Sequence, residues 1–374
     1  MSKARKILYS WSSRKLTLIG KITIIKTLIL PLFIHLFSAL PNPSTRLIKT
    51  LETLLFKFIW DGKNDKIKRN TLICNYDEGG LKMVHIPSFI DYLKIKWIKR
   101  IMMKKGMWIQ LFDQQFKTIS GMDIAFYTKS QINAICKTMC LNLFWRDVFQ
   151  AYGKILPGIY SRKEFMNQLI TSYAPISEIN KFKKWREVGL CYIKSLFDST
   201  GHLHNFSFIK DRYKIESNFL DYIRLTTRFP KRFSEESEKE ENAVKRLEKV
   251  SSLRFVYNIL VKEKKILPYK KWQKWQSDLD DVELKLEWIH RIPFLCANET
   301  QTQNFQFRLL HRILPTNVFM KKINKTDSEM CTFCSSAPET ISHLFCYCPK
   351  VAPLWNKFRK WASELVSVQS TASG

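Results

Sequence analysis

The chain has 374 residues, of which 62 are Lys or Arg and 33 are Asp or Glu, giving a formal net charge of +29 at pH 7. Hydrophobic residues make up 45%, with 26 Phe and 11 Trp, which excludes a wholly disordered chain and gives two or three folding units as the expectation for this length. Such a charge repels itself unless a polyanion is near, and it attracts phosphate backbones without reading bases. An anionic membrane surface and a plainly solvated basic face are the weaker readings.

Residues 1–110 carry 21 basic against 6 acidic side chains, a surplus of 15 in less than a third of the sequence. From Leu16 to Leu30, Leu18, Ile19, Ile22, Ile25, Leu28 and Ile29 recur at helical spacing with Lys15, Lys21 and Lys26 between them, so one side is expected to be buried and the other to offer amines. The apolar run Ile22–Leu40 raises the question of a membrane span. Lys26 and His35 interrupt it and Pro31 divides it, which favours two buried helices meeting at Pro31. A helix over Thr45–Ile59 follows, with the stripe Leu47, Leu51, Leu54, Leu55 and Phe58 and a stop at Trp60-Asp61-Gly62. Lys63, Lys66, Lys68 and Arg69 then form a basic loop suited to phosphate contacts, or simply to solvation. Short strands over 71–76 and 81–85 flank Asp77-Glu78-Gly79-Gly80, which predicts a hairpin turn. A helix from Ser88 to Lys105 sets Phe89, Leu93, Trp97 and Ile101 against Lys94, Lys96, Lys99 and Arg100.

The middle, 111–235, reads as a helical domain in which Phe144, Trp145, Phe149 and Tyr152 share a stripe. Cys136 with Cys140, and His202 with His204, lack partners for a metal and read as core or loop. The acidic run Glu235, Glu236, Glu238, Glu240 and Glu241 marks a boundary, and 236–374 forms a C-terminal region that opens with basic helix bearing Lys245, Arg246 and Lys249. Trp272, Trp275 and Trp288 accompany Lys270, Lys271 and Lys274; core packing is favoured over stacking on exposed bases. Asp280 and Asp281 lack a strand and turn to present them to metals, and no hydrolase, metalloprotease, kinase or deaminase motif occurs. No catalytic residue is therefore expected.

From Phe305 to Leu314 an amphipathic helix carries Arg308, His311 and Arg312, Pro315 stops it, and Thr316 caps the next turn of helix. The chain then reaches CTFCSSAPETISHLFCYC, where Cys331, Cys334, His343 and Cys348 make the pattern C-x2-C-x8-H-x4-C. Three thiolates and an imidazole suit one structural zinc ion and leave no position for water or substrate. Cys346 competes with Cys348 for the fourth position, and the spacing favours Cys348. Chance clustering of reduced core cysteines is the weaker account, since four of the nine cysteines fall in this stretch; disulfides are weaker still, because an odd count and no signal segment argue for a reducing compartment. A last helix places Leu354, Phe358, Trp361 and Leu365 on one side and is expected to pack on the zinc clip. The fold expected is mainly α and multi-helical, with a short β-hairpin near 71–85 and a small C-terminal zinc-stabilised module at about 305–366.

Several of these segments together resemble a known family. RKLTLIGKITIIKTLILP at 14–31, LLFKFIWDGK at 54–63, EGGLKMVHIPSF at 78–89, FQFRLLHRILPTN at 305–317, and CTFC with ETISHLFCYCPKVAPLW at 339–355 look like the carboxy-terminal part of the reverse transcriptase polyprotein of LINE-type, non-long-terminal-repeat retrotransposons, closest to the LINE-1-like clade. The resemblance implies that 1–110 begin in or just beyond a helical thumb, and that a cysteine-rich terminal segment helps bind RNA and the priming site. Cys331, Cys334, His343 and Cys348 match that family's ligand pattern by position; Cys346 does not. The Tyr/Phe-x-Asp-Asp strand of the polymerase palm and the endonuclease are missing from this sequence, so no polymerisation or cleavage by this chain alone is expected. The expected partners are RNA and primer-template or target DNA, held by Lys15, Lys21, Lys26, Lys63, Lys66, Lys68, Arg69, Lys96 and Arg100. A protein partner such as the missing polymerase core fits as well; a membrane does not. The expected location is intracellular, in nucleus, cytoplasm or both. A zinc-stabilised protein-interaction module and a non-functional truncated remnant are the alternatives.

Overall fold

The computed structural model describes residues 1–103, 106–115, 128–138, 142–156, 162–175, 178–230, 247, 253–279 and 286–371. Cys140, Lys104, Lys105, the acidic run Glu235–Glu241, Lys245, Arg246, Lys249, Asp280, Asp281 and the Leu365 side chain lie outside the described residues. The described residues are mainly helical and contain no strand, only isolated antiparallel bridges such as Met330 with Pro338. The chain divides into two compact units, neither of them one run of sequence: 1–26, 54–83 and 265–374 form the first, and 27–53 with 84–264 the second.

Pro31 begins its own helix, Pro31–Ala39, because a ring without an N–H is tolerated in the first turn. The preceding helix Leu18–Ile24 ends in the π-turn Ile25–Ile29. No single described helix is long and apolar enough to cross a membrane; Leu18–Ile29 and Pro31–Ala39 pass only as a pair bent by 50°. Ile22, Ile25, Ile29, Leu30, Phe33 and Phe37 are buried.

The helix Thr45–Ile59 ends where the sequence placed its stop. Asp61 and Gly62 take positive φ, and Gly62 N–H donates to Lys57 O at 2.8 Å, which satisfies a terminal carbonyl.

The hairpin expected near 71–85 is absent. Arg69–Leu72 is a short helix, and both Leu81 N–H and Met83 N–H donate to Leu72 O while Lys82 N–H donates to Cys74 O. Donors converging on one carbonyl cannot extend a ladder, and Lys82 at φ 55° breaks the extended path. The two glycines serve a close approach instead: a Cβ at Gly80 would lie 2.0 Å from Cys74 O, and one at Gly79, whose φ is +78°, would lie 2.9 Å from Pro268 Cγ.

In the first unit this segment is bonded to the chain beyond 265. Ile266 N–H donates to Asn70 O at 3.3 Å, Thr71 Oγ1 donates to Ile266 O at 2.7 Å, Lys265 pairs with Glu78 at 2.6 Å, and Tyr76 stacks on Phe294 at 3.9 Å. Trp272 and Trp275 are buried as expected of core residues, whereas Trp288 is exposed.

The second unit is organised by the helix Ile86–Met102, which packs against Leu143–Gly153 and Pro31–Ala39. Trp145, Phe149 and Tyr152 are buried and Phe144 is packed against them, as their shared stripe predicts. Lys94 departs from the expected charged face. It is fully buried, donating to Leu40 O, with its amine 4.4 Å from the Phe144 ring centroid. Burial lowers its pKa to about 8, against a smaller opposing pull from Asp147.

Candidate metal centre and basic surface

The turn that carries the first two cysteines is built by local chemistry. Ser335 N–H donates to Cys331 O at 2.9 Å with Ser335 at φ 53°, and Cys331 N–H donates to Ala337 O at 2.8 Å, which closes the turn on itself. Glu339 sits beneath it, 5% exposed. Its carboxylate accepts from Thr332 N–H at 2.9 Å, from the Thr332 hydroxyl, from Asn317 N–H at 3.0 Å and from Asn317 Nδ2 at 3.2 Å. Burial pushes that carboxyl up, and these donors outweigh it and hold its pKa below the ordinary value. Thr332 stands between the two cysteines, so Glu339 fixes the pair's spacing.

The other two positions come from the π-turn His343–Tyr347, where Cys348 N–H donates to His343 O at 2.7 Å. That turn is braced from outside. Asp278 accepts from Lys274 at 2.8 Å, from Arg312 at 2.7 Å and from the Ser342 hydroxyl; Arg312 also donates to Ser342 Oγ at 2.9 Å. Burial pushes the Asp278 carboxyl up, but these partners win and hold its pKa at about 2. The Tyr347 hydroxyl donates to Asp278 O, so both ends of the turn are tied to the helix Tyr269–Asp278.

The turn and the π-turn bring one ligand atom each from Cys331, Cys334, His343 and Cys348 to within 4.8 Å of one another. Cys334 Sγ lies 3.2 Å from His343 Nε2, and Cys331 Sγ lies 3.9 Å from Cys348 Sγ. Tetrahedral zinc with ordinary bond lengths sets such edges at about 3.6 Å for S–N and about 3.8 Å for S–S, so the donor set fits the ion. Cys348, not Cys346, joins the quartet; burial, with Asp278 adding to it, pushes the Cys346 thiol up. The Cys334 thiol is brought down to about 6, chiefly by the Ser336 hydroxyl and N–H, whereas burial raises that of Cys348. Four protein ligands with no open position make a crosslink, and the ion would supply the positive charge that several converging thiolates need.

The last helix meets this site at its first turn, but the described part of the stripe expected to pack on it is uncovered. Ala352–Thr371 is tied to it by Trp355 Nε1 donating to Phe345 O at 2.7 Å, while Leu354, Phe358 and Trp361 are exposed.

The basic residues singled out from sequence fall into different settings. Lys21 is buried, its amine donating to Ile59 O at 3.2 Å and to Asp61. Lys15, Lys63, Lys66, Lys68 and Arg100 are exposed, while Lys26, Arg69 and Lys96 are half-buried. Arg69 pairs with Asp65 at 2.7 Å and lies 4.5 Å over the Phe56 ring; Lys96 and Arg100 lie over Tyr92 and Trp97 at 4.8 and 4.6 Å. Helical periodicity could not separate Lys21 and Lys94 from the others, because whether an amine turns inward depends on a carbonyl or carboxylate supplied by a distant segment. The roles of Glu339, Asp278 and Arg312 were equally hidden, although a glutamate inside the eight-residue spacer between two ligands is a usable signal.

A family model described as zinc-binding in reverse transcriptase matches residues 257–355. The match contains all four members of the quartet, together with Asp278, Arg312 and Glu339, and supports a zinc module of the kind associated with retroelement reverse transcriptases.

Proposed function

We propose that this chain is a non-catalytic, nucleic-acid-binding accessory segment of a LINE-type reverse transcriptase of the LINE-1-like clade, holding RNA and primer-template or target DNA through exposed lysines and arginines. The observation that carries the reading is the coincidence of the Cys331, Cys334, His343 and Cys348 quartet with the segment similar to a reverse-transcriptase zinc domain, in a chain of formal charge +29. Zinc would act by holding the Cys331–Cys334 turn against the His343–Cys348 turn. Lys15, Lys63, Lys66, Lys68 and Arg69 are the cations of the first unit that would meet phosphates; Lys21 is committed to Ile59 O and Asp61 and is left out. Lys96 and Arg100 serve the same purpose in the second.

The test is native mass spectrometry for metal content beside an RNA titration at about 50 and about 200 mM salt. One zinc per chain is expected, and five phosphate contacts on a single strand would lower the affinity about a hundredfold across that range. Affinity unchanged by salt would remove the phosphate reading. A second reading, a zinc-stabilised module for a protein partner such as the polymerase core, is favoured by the exposed Leu354, Phe358 and Trp361 on the last helix. Replacing Trp361 with Ala would then abolish partner capture and spare RNA binding.

A further inference from the structure

The helix Ala352–Thr371 grows from the backbone of a member of the quartet: Cys348 O accepts from Val351 N–H at 2.9 Å and from Ala352 N–H at 3.1 Å. With Trp355 Nε1 donating to Phe345 O at 2.7 Å, its start is fixed to the metal centre. The aromatic side chains that follow nevertheless face outward. Trp355, Phe358 and Trp361 run along the helix with successive ring centroids 5.9 and 5.6 Å apart, and they are 37%, 50% and 55% exposed. Neighbouring rings meet at 86° and 40°, so they do not use up their faces by stacking on one another.

The charges around these rings have one sign. From Thr340 to Ser363 the sequence holds no Asp or Glu, whereas Lys350, Lys357, Arg359 and Lys360 are all exposed. At about 100° per residue, Lys357 falls beside the Trp361 edge of the stripe and Arg359 beside its Trp355 edge. A second copy of the helix laid on this face would bring those cations against their own kind. A polyanion that carries flat apolar groups meets both features at once, its bases stacking on the rings while its phosphates lie along the cations. Bases in a duplex already cover one another's faces, whereas RNA leaves unpaired bases in loops, bulges and ends.

We propose that Trp355, Phe358 and Trp361, flanked by Lys357 and Arg359, form a stacking platform for unpaired bases of single-stranded RNA. The proposal rests on the nucleic-acid reading above and goes further by naming the form of nucleic acid held and a surface that grips base faces as well as phosphates. It assigns to RNA the face that the second reading gives to a protein, and the two part at Trp361.

The experiment is a fluorescence-anisotropy titration of a single-stranded RNA oligonucleotide, and of a fully paired RNA duplex of the same length, over a salt series with the full chain and its variants. Trp361→Ala is expected to weaken single-strand binding about 5- to 100-fold. The slope of log affinity against log salt should stay as in wild type, because no cation has been removed. Trp361→Leu, apolar but without a ring face, should lose as much, and Trp361→Phe should retain most of the affinity. Lys357→Gln with Arg359→Gln should lower the slope by about 1.4, two single-strand phosphates. Duplex binding should be unmoved by Trp361→Ala. Wild-type affinity in Trp361→Ala or Trp361→Leu overturns the platform, leaves the helix to a protein partner and spares the nucleic-acid reading. An equal loss on the duplex, or a slope unmoved by the paired charge substitutions, overturns it too. Wild-type protein that binds neither RNA overturns both readings. Unchanged zinc content and thermal midpoint certify that each variant is folded.

Discussion

Acidification should destabilise the first unit through two neutral histidines that face each other in its core. His290 and His311 are 3% and 2% exposed, with ring centroids 5.6 Å apart. Trp272 Nε1 donates to His290 Nε2 at 2.6 Å, so that nitrogen must be bare; His311 Nε2 lies 2.7 Å from Gly79 O, so that nitrogen must carry hydrogen. Burial lowers the His290 pKa to about 4, and burial, then the neighbouring His290 and Lys271, lower that of His311 to about 3. The unfolded chain takes up protons near pH 6.5 and the folded chain does not, so stability is complete above that value and declines as pH falls from about 6.5 toward 4 and 3. At pH 5 each histidine forfeits about 2 kcal/mol relative to pH 7.5, or about 4 kcal/mol together. Urea unfolding followed by tryptophan fluorescence at pH 7.5, 6.5, 5.5 and 5 measures the loss. Protonation of zinc ligands falls in the same range, so the comparison is with the variant His290→Gln/His311→Gln, whose amides can accept from Trp272 and donate to Gly79 while the metal quartet stays intact. The variant should lose most of the pH dependence. Equal slopes for the two proteins would refute the assignment.

The remaining expectations concern single positions. Cys331→Ser or Cys348→Ser should abolish zinc binding in a metal-release assay and unfold the segment around it, whereas Cys346→Ser should retain one zinc. Glu339→Ala removes the four-donor carboxylate beneath the Cys331–Cys334 turn, and zinc affinity measured against a chelator should fall about 10- to 100-fold. Gly80→Ala places a methyl group 2.0 Å from Cys74 O, and a cost of about 3 kcal/mol or more in urea unfolding is expected; a change below about 0.5 kcal/mol would mean the close approach is not required. Lys94→Met should cost less than about 1.5 kcal/mol at neutral pH, and it should abolish the gain in stability that wild type shows as pH rises above about 8, where the unfolded chain holds the proton and the buried amine has released it.

The metal quartet was legible because its chemistry is local: ligand type and spacing suffice to pick Cys348 over Cys346, and the fold places them so. The stop of Thr45–Ile59 was legible for the same reason, since a helix end needs only its own last turn and a glycine. Gly79 and Gly80 were misread because a glycine pair between apolar runs looks alike whether it turns a hairpin or admits Cys74 O and Pro268. The last helix shows the converse error. Its stripe of Leu354, Phe358 and Trp361 promised a buried face, yet periodicity states only that such a face exists, never what covers it.

Gly79 also decides where this protein can be cut. The family match starts at residue 257, but the carbonyl that receives His311 and the backbone that abuts Pro268 and His290 belong to a stretch near residue 79. A clone bounded by the match would carry the zinc ligands and leave a donor in its interior without an acceptor. Recombination or truncation that separates 69–83 from 265–311 therefore divides a single core, and the unit of inheritance that folds is longer than the unit that sequence similarity outlines.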